Sequence, residues 1–438
     1  MSNPFKAVLD IRRHELPLAV LMFSYFFLVI TSFWILKPIK KALFIQYYDK
    51  TGFTVLNWHM TASQAELLAK VLNMLVAIVA VIAFTWLSRR FRRQQLTYCF
   101  SAFFLAGYAL YSPLIVNPSD LTVWTFYLFG DLFSTLMVAT FFVFLNDSVT
   151  ASDAKRLYGL IGLGGVVGGV FGTTAVRVWI DDLDRTDWLW VCFAIAIVIM
   201  AIAMSAGRFI AKRDKPDVSL KDDGKQSHGN PAFEGALLVS KSRYMLAIAC
   251  VVGLYEIVST LLDFQFTATI SHYLDGDAIG RQFSMVFAIT NWVSMFVQLF
   301  LTSFVMTRFG LTVALMVLPV AILAGSAGFL VFPILWVGSS LNTVDNGFSY
   351  SINQSSKETL YVPASKDEKY KAKAFIDMFV QRFAKALAVG VSLIVTSIFV
   401  EFDSIRYLSL LTVALIVLWL WAVRFAGRRF DEMTSKPI

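Results

Sequence analysis

Runs of roughly twenty apolar residues, broken by short polar stretches, recur along almost the whole chain, the length a helix needs to cross a hydrocarbon layer about 30 Å thick. Twelve can be placed, centred near residues 26, 76, 106, 133, 168, 197, 256, 293, 321, 343, 387 and 415. The pattern predicts an all-α membrane protein of twelve transmembrane helices. The first run follows "MSNPFKAVLDIRRHELP", which lacks a small-residue cleavage site, so it reads as a retained helix.

Composition agrees with the pattern. Hydrophobic residues make up 57% and charged residues 16% of the 438, against about 25% charged in soluble domains. The net charge of +8 does not point to nucleic acid, because the basic residues sit in short clusters between apolar runs. "RRFRR" (89 to 93), "AKR" ending at Arg156 and "RFAGRR" near the end fall on one side of the predicted topology, whereas the opposite side carries acidic loops such as "DDLDRTD". Lysine and arginine collect on the cytoplasmic side, which puts both termini there, in a cell inner membrane. The long polar stretch from 211 to 243 divides the chain into residues 1–208, a linker over 209–243, and residues 244–438. Each flank holds six runs, so two six-helix bundles are expected. Arg90 echoes Arg308, and Asp131 echoes Asp345, at matching places in the halves. Duplicated halves of this kind are the plan of major facilitator transporters.

Several chemistries are excluded. No G-x-x-x-x-G-K-[ST] appears, so energy is expected from exchange or gradients. Cys99, Cys192 and Cys250 lie singly in apolar runs, and the four histidines have no metal spacing. No nucleophile and base arrangement is present, and neither enzyme nor cofactor is implied. The glycines of "GLIGLGGVVGGVFG" lie inside a helix, where the Gly164/Gly168 and Gly168/Gly172 spacings allow close helix packing.

Charges inside the apolar runs are the informative residues, because each costs about 3 kcal/mol at the bilayer centre on insertion scales. In the first run Lys37, Lys40 and Lys41 share one face beside Pro38. They read either as interfacial lysines or as a basic face turned into a cavity. Glu66 and Lys70 form an i, i+4 pair that can neutralise itself. Asp131 and Asp263 have no opposite charge within a helical turn, so partners from other helices or an aqueous cavity are required, and they read either as pairing with the helix 1 lysines as a gate or as proton carriers; Glu256 lies on nearly the same face as Asp263. Arg177, Arg382 and Lys385 add positive charge at depth, suited to phosphate or carboxylate, or to an internal pair with Asp345. In "SINQSSKETLYVPASKDEKYKAKAFID", Pro363 is expected to close helix 10 with Lys357 on its last turns, leaving Lys366, Lys369, Lys371 and Lys373 as topological anchors.

Four passages resemble the ATP/ADP translocase family: "FWILKPIKKALF", "DLFSTL" followed by "DAKRLYGLIGLGGVVGG", the region of Asp263, and "SSKETLYVPASKDEKYKAKAFID". The resemblance implies a nucleotide exchanger. Its functional residues, a helix 1 base, acids in helices 4 and 7 and a lysine after helix 10, fall on Lys40, Asp131, Asp263 and Lys357. Lys41 stands where that family tends to have an acid, and both acids are Asp rather than Glu. Lys37, Lys40, Lys357 and Arg382 are accordingly the expected substrate-binding residues, and Asp131, Asp263 and Glu256 the gating or coupling residues. The expected partners are an anionic small molecule and the bilayer, with the chain a monomer. The alternatives are a proton-coupled facilitator for a non-nucleotide solute, lipid-like or a siderophore, and a non-transporting membrane sensor.

Overall fold

A computed structural model describes residues 15–149, 151–213, 231–365, 368–398 and 402–434. The basic cluster at Arg12 and Arg13, most of the central polar stretch, and Lys366 lie outside the described residues. The elements are α1 (Leu16–Tyr48), β1 (Phe53–Val55), β2 (Trp58–Met60), α2 (Ala62–Arg90), α3 (Arg93–Leu114), α4 (Asp120–Asn146), α5 (Ala151–Trp179), α6 (Arg185–Arg213), α7 (Pro231–Lys241) and α8 (Arg243–Tyr273). They continue with α9 (Asp277–Phe296), α10 (Thr302–Val331), α11 (Leu335–Phe348), α12 (Gln354–Leu360), α13 (Lys373–Phe375), α14 (Gln381–Ile398) and α15 (Tyr407–Thr434).

Among the described residues nine helical stretches are long and apolar enough to cross a membrane. The chain is not wholly helical, since β1 and β2 pair antiparallel around a turn in which Leu56 and Asn57 take positive φ. Wide π-helical turns interrupt the later helices at Val297–Leu301, Ser349–Asn353, Glu368–Ala372 and Ile376–Val380. Gly310, at φ 84°, breaks the backbone inside α10, a conformation open to glycine and costly for residues with a Cβ.

Two compact units are formed. The first comprises Met1–Gly52, Leu72–Lys221 and Gly276–Asn291. Its centre is α1, packed on α4, α5 and α6. The glycines of α5 work as the spacing predicts: a Cβ on Gly164 would stand 2.8 Å from the Phe23 carbonyl oxygen, and one on Gly172 2.7 Å from that of Thr31. Backbones therefore touch, and Thr31 Oγ1 donates to the Gly168 carbonyl at 3.2 Å. On the other flank aromatic rings interlock, with Phe104 and Phe133 edge to face at 4.9 Å between centroids.

The second unit comprises Phe53–Val71, Asp222–Asp275 and Trp292–Ile438. Here α8 is central, against α11, α14 and α15. Gln265 fixes α8 by donating to the Ile405 carbonyl at 3.0 Å and to Ser409 at 2.9 Å. The short helix α7 packs on the turn at Glu368–Ala372, where Gly235 lets the Lys371 carbonyl approach closely.

The exposed side of α2 shows what a lipid face looks like in this chain. Leu72, Leu75, Val79, Ile82 and Trp86, spaced by three or four, are all exposed and apolar.

Candidate functional site

Ionisable residues on the apolar helices form ion pairs in each unit, and the seven expected site residues divide between the two units. Lys37, Lys40 and Asp131 fall in the first unit; Asp263, Glu256, Lys357 and Arg382 fall in the second.

In the first unit α1 runs without a stop through Pro38 to Tyr48, so its three lysines are carried well inside the helix. Its far end is tied to α4, where Trp124 Nε1 donates to the Tyr48 hydroxyl at 2.9 Å and that hydroxyl donates to Asp120 at 2.8 Å. This tie sets the register of α1 against α4, and Lys40 then meets Asp131 in a direct ion pair. The Lys40 side chain is 5% exposed and the Asp131 side chain 23%. Gly130 makes the approach possible, since a Cβ there would lie 2.6 Å from Lys40 Cδ. The Lys40 ammonium also lies 4.4 Å from the Tyr127 ring centroid. Lys37, half-buried, sits over Trp34 at 4.4 Å and Phe287 at 5.0 Å. Lys41 is buried and faces Phe283 at 5.2 Å. Each ammonium is thus held by an aromatic face as well as any carboxylate, an arrangement that stabilises cations removed from water.

In the second unit Asp263 of α8 pairs with Lys70 of α2. Lys70 also reaches Glu66, one turn back, at 3.3 Å. The local Glu66/Lys70 pair expected from spacing is therefore one arm of a three-residue bridge. Lys70 is the partner that an isolated Asp263 required and that sequence reasoning did not assign to it. Glu256, nearly buried, pairs with Lys385 of α14 at 3.4 Å. Asp345 is fully buried and accepts from Ser259 at 2.7 Å, while the Tyr255 and Ser349 hydroxyls meet at 2.5 Å. Lys357 lies in α12, which ends at Leu360 shortly before Pro363, and it is half-buried and without an ion pair among the described residues. Its neighbour Glu358 pairs with Lys373 at 2.5 Å. Burial pushes the Tyr361 phenol well above its usual range, with Asp377 and Glu358 adding to the effect. Arg382 is half-buried on α14. Arg177, by contrast, is exposed on the last turn of α5, where it complements the helix dipole.

A cavity of 650 Å³ in the first unit is lined by Gln46, Asp181, Asp184, Arg185, Asp277 and Arg281 among others, and by none of the seven expected residues. Its charges answer one another: Arg281 Nε stands 2.9 Å from Asp181, and Gln46 donates to the Gly276 carbonyl at 2.5 Å. That arrangement joins segments rather than offering free donors to a ligand. The chemistry of the ionisable clusters is different. Lys40 and Lys41 are held away from water against a carboxylate or ring faces, and an ammonium of this kind can hydrogen-bond an anion with several oxygens in place of a carboxylate.

Residues 21–363 match the family model of the Major Facilitator Superfamily, and residues 330–430 match that of the TLC ATP/ADP transporters. ADP,ATP carrier protein 1 of Chlamydia muridarum is 25% identical, over 96% of this chain and 90% of the relative. The chloroplastic ADP,ATP carrier protein 1 of Arabidopsis thaliana is 24% identical, over 74% of this chain and 57% of its own length. Two solved structures share the fold. A bacterial homologue of the human lysosomal transporter Spinster has a TM-score of 0.63 at 12% identity, covering 98% of this chain and 100% of that one. The nucleoside transporter NupG has a TM-score of 0.55 at 12% identity, covering 97% and 100%.

Proposed function

The chain belongs to the Major Facilitator Superfamily, and from that premise we propose that it is a nucleotide exchanger, moving ATP, ADP or a similar phosphorylated anion by alternating access. The observation that carries this reading is the pair of Lys40 and Asp131, a buried cation whose counter-charge comes from a different helix. The similarity to ADP,ATP carriers along nearly the whole chain supports it. So does the match of residues 330–430 to ATP/ADP transporters, a region that contains Lys357 and Arg382.

Lys37, Lys40, Lys357 and Arg382 take the phosphate oxygens. Asp131, Asp263 and Glu256 neutralise the cations of their clusters when no substrate is bound, through Lys40, Lys70 and Lys385. Removing a carboxylate from a desolvated ammonium is costly, so substrate phosphate is accepted where it makes good that loss. Solutes without an anionic group cannot do so. Selection for phosphorylated cargo follows.

The membrane arrangement has twelve crossings. The stretch Asp277–Val331 has 55 residues, about 80 Å at the helical rise, too long for one crossing, and Gly310 breaks it. Helix α3 and the run of α11 with α12 supply the others. Residues 1–208 and 244–438 are the two six-helix bundles, with both termini cytoplasmic in a cell inner membrane, and the monomer is the working unit.

Thermal unfolding of the purified chain tests the reading, because a ligand that binds only the folded state raises the midpoint. ATP and ADP are expected to raise it and adenosine to leave it unchanged. No rise with any phosphorylated compound would overturn the proposal.

A further inference from the structure

Phosphate recognition leaves the base of a nucleotide unaccounted for, and most aromatics near the lysines are already committed. Trp34, Tyr127 and Phe287 are buried and face the α1 ammoniums. Phe383 of α14 is 73% exposed, but exposed Phe379 in the π-helical turn before it and Leu387 on the same helix mark a lipid face.

Tyr350 is different. It is 47% exposed in a stretch whose neighbours Ser349, Ser351, Ile352 and Asn353 are buried. Along α11 and the turn that follows it, Ser340, Thr343, Gly347, Tyr350 and Gln354 fall on one line of the helix at spacings of three and four. Ser340 and Gln354 are exposed and Thr343 half-exposed. Gly347 on this line is buried, and beyond exposed Trp336 at its start the exposed side chains are polar where those of α2 are apolar, as on a helix face that borders water. The charges of Asp345, Lys385, Asp263 and Glu256 act on the Tyr350 hydroxyl, and of these the Lys385 side chain is 48% exposed and that of Asp263 28%. Tyr350 also lies in the π-helical turn Ser349–Asn353, a distortion frequent at functional sites.

We propose that Tyr350 is the platform on which the nucleotide base stacks. The proposal rests on the nucleotide reading above and adds to it a named binding residue and a reason for recognising the base. A tyrosine face accepts any purine or pyrimidine, so the contact contributes affinity for nucleosides over bare phosphates with little preference among bases.

The test uses the full chain in lipid nanodiscs, with binding of ATP and of inorganic triphosphate measured for the wild type, Tyr350→Phe and Tyr350→Leu. Unfolding midpoints confirm that both variants are folded. The ring alone carries stacking, so Tyr350→Phe is expected to bind ATP within about twofold of the wild type. Tyr350→Leu is expected to bind ATP about five- to a hundredfold more weakly, with triphosphate affinity unchanged. Unchanged ATP binding in Tyr350→Leu, or equal weakening of ATP and triphosphate, would overturn the proposal while leaving nucleotide transport standing. A wild type that binds neither ligand removes both readings.

Discussion

Neutralising Asp131 should destabilise the protein more than neutralising Lys40, although the two residues form a single ion pair. Asp131→Asn leaves an ammonium whose side chain is 5% exposed, whereas Lys40→Met leaves a carboxylate 23% exposed and within reach of water. Breaking a fully buried pair from one side costs about 3–5 kcal/mol. The partial exposure of Asp131 and the Tyr127 ring at 4.4 Å reduce the first cost to about 2–3 kcal/mol, and water access reduces the second to about 1 kcal/mol. The double variant removes both charges, so it should be more stable than Asp131→Asn alone, a coupling of about 1–2 kcal/mol. Thermal unfolding in one detergent, followed by fluorescence, reads all four proteins, and Asp131→Asn should fall by several degrees. Transport should not follow stability: Lys40→Met and the double variant both lack the phosphate-binding cation and should lose about tenfold or more in nucleotide uptake. A double variant that unfolds at the sum of the single shifts, or one that transports normally, would refute the reasoning.

Asp263→Asn should cost less than Asp131→Asn, about 1 kcal/mol, because Lys70 keeps Glu66 at 3.3 Å; the same unfolding assay compares them directly. In α5, Gly172→Leu should cost several kcal/mol and lower folded yield, since its Cβ meets the Thr31 carbonyl oxygen at 2.7 Å. Gly159→Ala on the same helix has open space around the added Cβ, and should be neutral or stabilising by about 0.5–1 kcal/mol. Arg281→Gln should change stability by less than about 1 kcal/mol, because both partners of its pair with Asp181 are more than half exposed.

Apolar runs were legible because burial in lipid needs them, and nine of the described helical stretches are long and apolar enough to cross a membrane; the compact units do not follow the central polar stretch, since Phe53–Val71 groups with the second and Gly276–Asn291 with the first. The glycine ridge was legible too, since Gly164, Gly168 and Gly172 at four-residue spacing can serve only a close neighbour. Partners were harder. Spacing tells which residues share a face but not which helix lies opposite, so the helix 1 lysines were candidates for both acids, whereas Asp131 meets Lys40 and Asp263 meets Lys70. Lys70 was hidden by Glu66, whose i, i+4 position already satisfied it locally. The hairpin at 53–60 escaped because its strands have three residues each and its turn is Leu56-Asn57 rather than Asn-Gly. Tyr350 was one aromatic among many, and only the polarity of the helix line it stands on separates it from residues that face lipid.

The central claim is exchange of nucleotides, and counterflow tests it most directly. Proteoliposomes of the wild-type chain preloaded with ADP should take up labelled ATP many times faster than liposomes loaded with buffer alone. Lys40→Met should abolish the difference. Equal uptake with and without internal ADP, with or without an imposed proton gradient, would contradict exchange. Wild-type counterflow in Lys40→Met would contradict the site.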